Sequence, residues 1–451
     1  MAYECSPYRG SEWAVGWGRL VEAARVAEVH VVTSRENYKA LERAKAEGLL
    51  PANVSFYSTE IDKKMRRLEA KPALFAYNYT AYHHWQKLAM KVVRYLHFHH
   101  KFDLVHQVTV QTFREPGYAW ELGIPFVWGP VGGTQNFPWR FLSMLPIKEA
   151  IKEGVRGVSN WLSLRTKPRV KKAARAAALI VASNSTNKRD YERVFGREVE
   201  LLLETGLWSV PVVDRARFVE RFEDQRAGRP TKPLKILWSG EFQSRKALPV
   251  LLRALARVKD LDWELVVLGD GPMRGLWVEE GRVLGLNVVE MSKPGSEDPD
   301  PGHPVSSPDS RGEKSSVSRD GNVVRFMGRL PFGEAVAKMQ EADVFVFTSL
   351  RDTSGNVVLE ALAAGVPVVC FDHQGVGDMV TEDCGVKIGV SSPKWAVDEL
   401  AAVIGDLAED GERLLALSVG ATERAKMYLW DRNGDWMNAA YARLVGESVS
   451  A

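Results

Sequence analysis

Cysteine is scarce in these 451 residues: Cys5, Cys370 and Cys384 are the only three, and they are far apart. Such spacing suits neither a disulfide framework nor a zinc site, so the expected compartment is the reducing cytoplasm. Long apolar runs are also missing. Stretches such as AAALIVA (176–182) fall well short of the ~18 residues that a membrane span needs. The opening MAYECSPYRG lacks the apolar core of a secretory signal. No GxGxxG follows the first strand of either half, which argues against a dinucleotide oxidoreductase. What is present is 45% hydrophobic and 26% charged, with fourteen Trp. At this length that is material for two or three domains rather than one core.

The net charge of +3 hides an asymmetry. Residues 1–205 carry 31 Lys/Arg against 20 Asp/Glu, which is +11, and the remainder carries 29 against 37, which is −8. A basic half suggests that one domain meets something anionic. Nucleic acid is the weaker candidate, because no reader motif accompanies the charge.

Short apolar strands alternate with helical segments in two blocks. VAEVHVVTS (26–34), FDLVHQVT (102–109), IPFVWGP (124–130) and ALIVAS (178–183) form the first. LKILWSG (234–240), WELVVLGDG (263–271), DVFVFTSL (343–350) and VPVVCFD (366–372) form the second. This pattern predicts two α/β domains with parallel sheets and crossover helices. The boundaries expected are 1–205 and 234–425, with a linker at 206–233 where SVP, GRP and TKP punctuate a charged segment. A last helix over 426–451 is expected to cross back to the first domain. Residues 291–321 are rich in Pro, Ser, Gly and acid and read as a disordered, inert insertion. The first strand is odd, because only MAYEC precedes the glycine-bearing loop YRGSEWAVG (8–16). The expectation is a start downstream of the true one, which would weaken the sheet where that loop is anchored.

The stretch RDTSGNVVLEALAAGVPVVC (351–370) places carboxylates at Asp352 and Glu360 around the start of a helix. Gly365 and Pro367 supply its stop. Helix starts carry unpaired N–H groups and partial positive charge, so they attract anions. Gly355 removes the side chain that would keep a phosphate from the backbone. The plainer reading is that Asp352 or Ser354 caps the helix and Glu360 complements its dipole. WSGEFQSRKALPVLLRAL (238–255) brings Arg245 and Lys246 to a strand end, where a guanidinium fork and an ammonium suit a diphosphate. LGDGPMR (268–274) and VRFMGRLP (324–331) are weaker signals of the same kind. HFHH (97–100) invites a metal reading, but it precedes a strand in a basic segment.

In this order, the Gly-then-RK loop, GDGP, the F-x-G-x-x-P turn and acid-x7-acid followed by ALAAGVPVV resemble the donor-binding domain of family 4 glycosyltransferases. FDHQGVGDMVTEDCGVKI (371–388) resembles that family's following glycine loop and LWDRN (429–433) its late aromatic-Asp segment. SPYRGSEWAVGWG (6–18) and PFVWGPVGGTQ (125–135) resemble its acceptor-side loops. The resemblance implies the GT-B fold, with two Rossmann-like parallel-sheet domains facing each other across a cleft. It implies a retaining transfer from a nucleotide diphosphate sugar, without a metal or other cofactor.

Lys246 and Arg245 would bind the diphosphate, together with Gly240 and the amides of Gly355, Asn356, Val357 and Val358. Glu360 would hold the ribose hydroxyls, and Asp352 would lie beside the transferred sugar. Gly10 and Ser11 would face the diphosphate from across the cleft. Arg329 lies in a loop bearing on base and sugar choice, and His106 would point into the cleft. The acceptor implied is a glycan or lipid-linked precursor of the kind used in polysaccharide synthesis. It would be met at the inner membrane face through a peripheral contact of the basic first domain.

Two departures stand out. Asp352 replaces the family's usual Glu, and Glu241 follows Gly240 where the family usually has Arg. A catalytically silent sugar-nucleotide binder and a GT-B epimerase therefore remain open alternatives.

Overall fold

A computed structural model describes residues 1–61, 79–291 and 322–449. Apart from Met291, the insertion expected at 291–321 lies outside the described residues. The first domain begins with α1 (Glu12–Ala23), β1 (Val29–Ser34), α2 (Arg35–Ala46) and β2 (Val54–Thr59). It continues through α3 (Thr80–His100), β3 (Val105–Gln107), β4 (Phe126–Val131), α4 (Ile147–Thr166) and α5 (Pro168–Ala176). It ends with β5 (Leu179–Ala182), α6 (Ser185–Phe195) and β6 (Glu200–Leu201).

After α7 (Ala216–Arg226), the second domain runs β7 (Leu234–Ser239), α8 (Leu248–Leu255), β8 (Trp263–Leu268), α9 (Arg274–Val283) and β9 (Asn287–Glu290). Then come β10 (Val323–Gly328), α10 (Phe332–Glu341), β11 (Val344–Phe347), α11 (Asn356–Ala363) and β12 (Val368–Phe371). The chain closes with α12 (Gln374–Met379), β13 (Gly385–Ile388), α13 (Pro393–Glu409), α14 (Gly411–Lys426) and α15 (Trp430–Val449).

Every strand pair described is parallel, as buried runs such as VFVF and LIVA require when helices cover both faces. The second sheet has the order β13-β12-β11-β7-β8-β10-β9. Its order reverses at β7, whose neighbours are β8 on one side and β11 on the other. A crevice opens at such a reversal, beyond the carboxyl ends of the strands. Trp238, Phe242, Trp277 and Phe326 interlock beneath it, with ring centroids 5.2 to 6.0 Å apart.

The first domain's strands fall into two groups, β1-β2 and β3-β4-β5-β6. Residues 1–3 run between them. The Ala2 N–H donates to the Val32 carbonyl at 3.1 Å, and the Val108 N–H donates to the Met1 carbonyl at 3.0 Å. Beyond Met1 the two edges enclose a cavity of about 740 Å³, lined by Val29, Val31, Leu104 and Val105 among others.

α7 lies within 206–233 and packs on α14. α15 returns to the first domain, where Met437, Ala440, Tyr441 and Leu444 pack on Val127, Leu179 and Val181. Its passage against α1 depends on Gly18, where an added Cβ would sit 2.4 Å from the Trp430 ring.

Candidate active site

Arg245 and Lys246 occupy a short 3-10 turn just past β7, and Asp352 lies in the loop after β11. Adjacent strands thus bring the Arg245–Lys246 pair to a carboxylate that lies 106 residues beyond Lys246 in sequence. The Lys246 ammonium is ion-paired with an Asp352 carboxylate oxygen, and the Arg245 Nη1 lies 3.4 Å from the same oxygen. The backbone fixes this arrangement. The Thr348 hydroxyl donates to the Lys246 carbonyl at 2.8 Å, and the Leu350 N–H donates to the Arg245 carbonyl at 2.9 Å. Lys246 also lies 4.9 Å over the Phe347 ring. Burial opposes charge on Asp352, but Lys246 and Arg245 outweigh it and hold the carboxyl below its usual range. Burial pulls the Lys246 ammonium down, with Asp352 pulling the other way.

The helix after Asp352 starts at Asn356, with Gly355 at φ 83°. A Cβ at Gly355 would also crowd Phe347 and Val376, at 3.1 and 3.2 Å. No side chain caps this helix. Asp352 is committed to the cations, so its capping role is set aside; the first-turn amides of Asn356 and Val357 carry no side-chain cap, while that of Val358 donates to the Gly355 carbonyl at 2.8 Å. Glu360, one turn in, is exposed.

The first domain closes over the same loop. Arg351 makes a two-pronged ion pair with Glu153 of α4, each prong 2.9 Å. Asn184 donates to the Thr353 carbonyl at 2.9 Å, and the Gln135 amide donates to the Thr353 hydroxyl. Gln374 links both domains, accepting from the Asp352 N–H at 2.8 Å and donating to the Asn136 carbonyl at 2.9 Å. Space is tight here. An added Cβ at Gly375 would lie 1.9 Å from the Thr353 carbonyl oxygen, and one at Gly132 would lie 3.0 Å from the Thr353 methyl.

Two further carboxyls extend inward from Asp352. Burial pushes Glu204 up to about 7, with the Ser354 hydroxyl acting against the shift and the Asp352 charge adding to it. Burial likewise pushes Glu12 up to about 8, and the Gln111 N–H, 3.3 Å from its carboxyl, opposes this. Glu12 belongs to the first turn of α1, directly after Gly10 and Ser11. Both Gly10 and Ser11 are exposed, and Ser11 has φ 56°.

Among the other expected residues, Gly240 follows β7 and its N–H donates to the Leu268 carbonyl at 3.1 Å. Arg329 is exposed just past β10, and Glu241 is exposed beside Gly240. His106 corrects the expectation that it points into the cleft. It sits in the middle of β3, and its ring is buried against α15. The ring bonds Tyr441 Oη at 2.6 Å through Nδ1 and the Gly129 carbonyl through Nε2. Burial drives its pKa well below the usual value, so it fastens the last helix as a neutral ring. No group of His, Cys, Asp and Glu suited to a metal ion occurs among the described residues.

Sequence reading missed Glu12, Gln135, Glu153, Glu204 and Gln374 as site residues. The quoted loops SPYRGSEWAVGWG, PFVWGPVGGTQ and FDHQGVGDMVTEDCGVKI contain Glu12, Gln135 and Gln374, whereas nothing pointed to Glu153 or Glu204.

Residues 306–410 match the family described as "Glycosyl transferases group 1". The sulfoquinovosyl transferase SQD2 of Arabidopsis thaliana is 26% identical over 251 residues, covering 54% of this chain and 40% of that protein. A D-inositol 3-phosphate glycosyltransferase of Corynebacterium urealyticum is 31% identical over 133 residues, covering 29% of this chain and 30% of the relative. The matches therefore span less than half the length of either relative. Anabaena Alr3699/HepE, solved in complex with UDP, superimposes with a TM-score of 0.55 at 14% identity over 95% of this chain and 96% of that one. Sucrose-phosphate synthase from Thermosynechococcus elongatus does so with a TM-score of 0.54 at 16% identity over 97% and 94%. The fold is GT-B. Within that fold, residues 306–410 of the second domain are similar to the family of group 1 glycosyl transferases.

Proposed function

We propose that this protein is a glycosyltransferase that moves a sugar from a nucleoside diphosphate sugar to an acceptor, with retention and without a metal ion. The observation that carries this is the meeting of Lys246, Arg245, Asp352 and the uncapped start of α11 at the β7/β11 crevice. A diphosphate seated there meets two cations and a row of amides. These stabilise the charge that builds on the leaving group as the glycosidic bond breaks. The same preplaced charges are the reason a metal is not required.

As the diphosphate draws Lys246 and Arg245 to itself, Asp352 is released towards the sugar. There its carboxylate steadies positive charge at the anomeric carbon, which oxocarbenium-like transition states reward. Glu360 lies one turn into α11, and its carboxylate accepts hydrogen bonds from a ribose diol. The first domain, with its excess of basic residues, takes the acceptor, and an anionic or lipid-linked glycan precursor fits that charge.

The test is thermal stability with saturating UDP, GDP, ADP and dTDP, on the wild type and Lys246→Ala. Ligand at a hundred times its Kd adds ~2.7 kcal/mol. One nucleotide raising the wild-type midpoint but not that of Lys246→Ala places the donor site, and labelled sugars on that nucleotide then test transfer. No shift with any of the four removes the donor site from this crevice.

A further inference from the structure

Arg19 is a buried cation without an anion. It belongs to α1, is 3% exposed, and bonds through Nη2 to the neutral side-chain amide of Asn433. Its Nε and Nη1 are buried and have no hydrogen-bond partner. Among the described residues no carboxylate forms an ion pair with it. Glu22, three residues on, pairs instead with Arg25 at 2.6 Å. Burial lowers the Arg19 pKa, with Tyr441 and Glu22 acting the other way. Arginines this deep are as a rule paired, because an unanswered charge is costly to take out of water.

Arg19 lines the cavity of about 740 Å³ between β1 and β3. His106 shares its buried end, but that ring is neutral and bonded through both nitrogens. The Met1 amine, pulled down to about 5 by burial, donates to the His106 carbonyl at 2.6 Å. Neither supplies the missing anion. Leu20, Val29, Val31, Leu96, Val105 and Val445 make the wall apolar. The mouth lies among exposed residues at the entries to β1 and β3, with Glu28, Lys101 and Asp103 on its rim. Those are the amino ends of the strands. Gln135 and Asn184, which reach the Thr353 loop, follow β4 and β5 at their carboxyl ends. The cavity is therefore separate from the β7/β11 crevice.

We propose that this cavity binds a long-chain carboxylate, a fatty acid whose head meets Arg19 and whose chain lies between β1 and β3. The volume falls within the range of small-ligand sites, roughly 300–1,000 Å³. The chain covers the apolar wall, and the carboxylate makes a charge-assisted bond to the guanidinium, which is the strong kind. A neutral chain would leave Arg19 unanswered, and a compact anion would leave the wall bare. An acid carrying a long chain answers both. This site does not depend on the transfer reading, since it shares no residue with the donor crevice.

The experiment is fluorescence titration of the full chain with cis-parinarate, followed by displacement with octanoate, dodecanoate and dodecanol. Dodecanoate should displace the probe at least tenfold more tightly than dodecanol. Each methylene added between octanoate and dodecanoate should tighten binding about fourfold. Two variants locate the site. Arg19→Met removes the charge at similar length, and Ala23→Phe places a ring in the cavity that Ala23 lines. Each should weaken dodecanoate at least tenfold, with melting midpoints certifying the fold. Arg19 is buried, so if its variant does not fold, the comparison of acid with alcohol on the wild type carries the charge requirement alone. Absence of parinarate binding, or equal displacement by dodecanoate and dodecanol, overturns the proposal. Wild-type affinity in folded Ala23→Phe also overturns it, because the chain then binds elsewhere.

Discussion

Arg351 and Glu153 hold each other across the cleft with two hydrogen bonds of 2.9 Å, one residue away from Asp352. Their side chains are 14% and 5% exposed, so this is a buried pair between domains rather than a surface ornament. Removing one partner of such a pair leaves the other charge buried and uncompensated, which costs about 3–5 kcal/mol. Glu153→Gln and Arg351→Gln should each destabilise on that scale. The double variant should lose less than the two single losses combined, because neither charge is then stranded. Urea unfolding of the four proteins measures the coupling, and strict additivity would show that the pair does not bind the domains together.

The pairing of Lys246 with Asp352 makes an asymmetric prediction about ligands. Asp352→Asn removes the competitor for the ammonium, so the nucleotide should bind as well as in wild type or better while turnover falls. Lys246→Ala should lose both, because the diphosphate cation is gone; removal of one preplaced donor typically costs 10²–10³-fold in kcat. Calorimetry of nucleotide binding, beside a turnover assay with labelled donor, separates the two. Equal loss of nucleotide affinity in both variants would mean that Asp352 contributes to the nucleotide site itself.

The difference between what was legible in the sequence and what was not is physical. Arg245, Lys246, Asp352 and Gly355 belong to strand–loop–helix units, and a parallel sheet brings the ends of such units to one edge. Their spacing along the chain therefore carries their position in space. Glu153 reads in sequence as one more acid in a helix rich in Lys and Glu, and only the fold turns it inward. Glu204 and Gln374 reach the site from beyond β6 and from α12, a convergence that no local spacing encodes. Strand β2 escaped notice because Val54 alone of its six residues is buried, so VSFYST lacks the apolar run of an interior strand. His106 misled for the opposite reason. A histidine in a buried strand looks like a cleft residue until α15 returns to cover it.

Glu12 and Glu204 give the stability a pH dependence. Their folded values, about 8 and about 7, lie above the ordinary carboxyl value of 4.5. An acid raised in the folded state binds its proton more tightly there than in the unfolded chain. Its stabilising contribution is complete below 4.5 and is lost as pH rises through 7 for Glu204 and 8 for Glu12. The melting midpoint should therefore fall between pH 5 and 8.5 by more than the other groups require. Each tenfold difference in proton affinity between the folded and unfolded chain is worth about 1.4 kcal/mol. Glu204→Gln, which keeps the shape without the charge, should flatten that slope and raise the midpoint at the alkaline end. An unchanged slope in this variant would show that the carboxyl titrates normally.

The cavity between β1 and β3 makes the last prediction. Met1 already sits in strand register there, its amine donating to the His106 carbonyl at 2.6 Å. Burial pulls that amine down to about 5. Placing five β-branched or leucine residues ahead of Met1 would continue the segment between Val29–Val31 and Val105, joining the two groups of strands into one sheet. Burial contributes about 2 kcal/mol per side chain, against about 1.5 kcal/mol of conformational entropy per ordered residue. A net gain of about 2–3 kcal/mol follows from the difference, before counting the relief of the buried amine. An extension of equal length in glycine and serine is the control, because it moves the charged terminus but fills nothing. Urea unfolding should rank the apolar extension above both the control and the unextended chain. Equal stability for the two extensions would mean that the gap does not accept a strand.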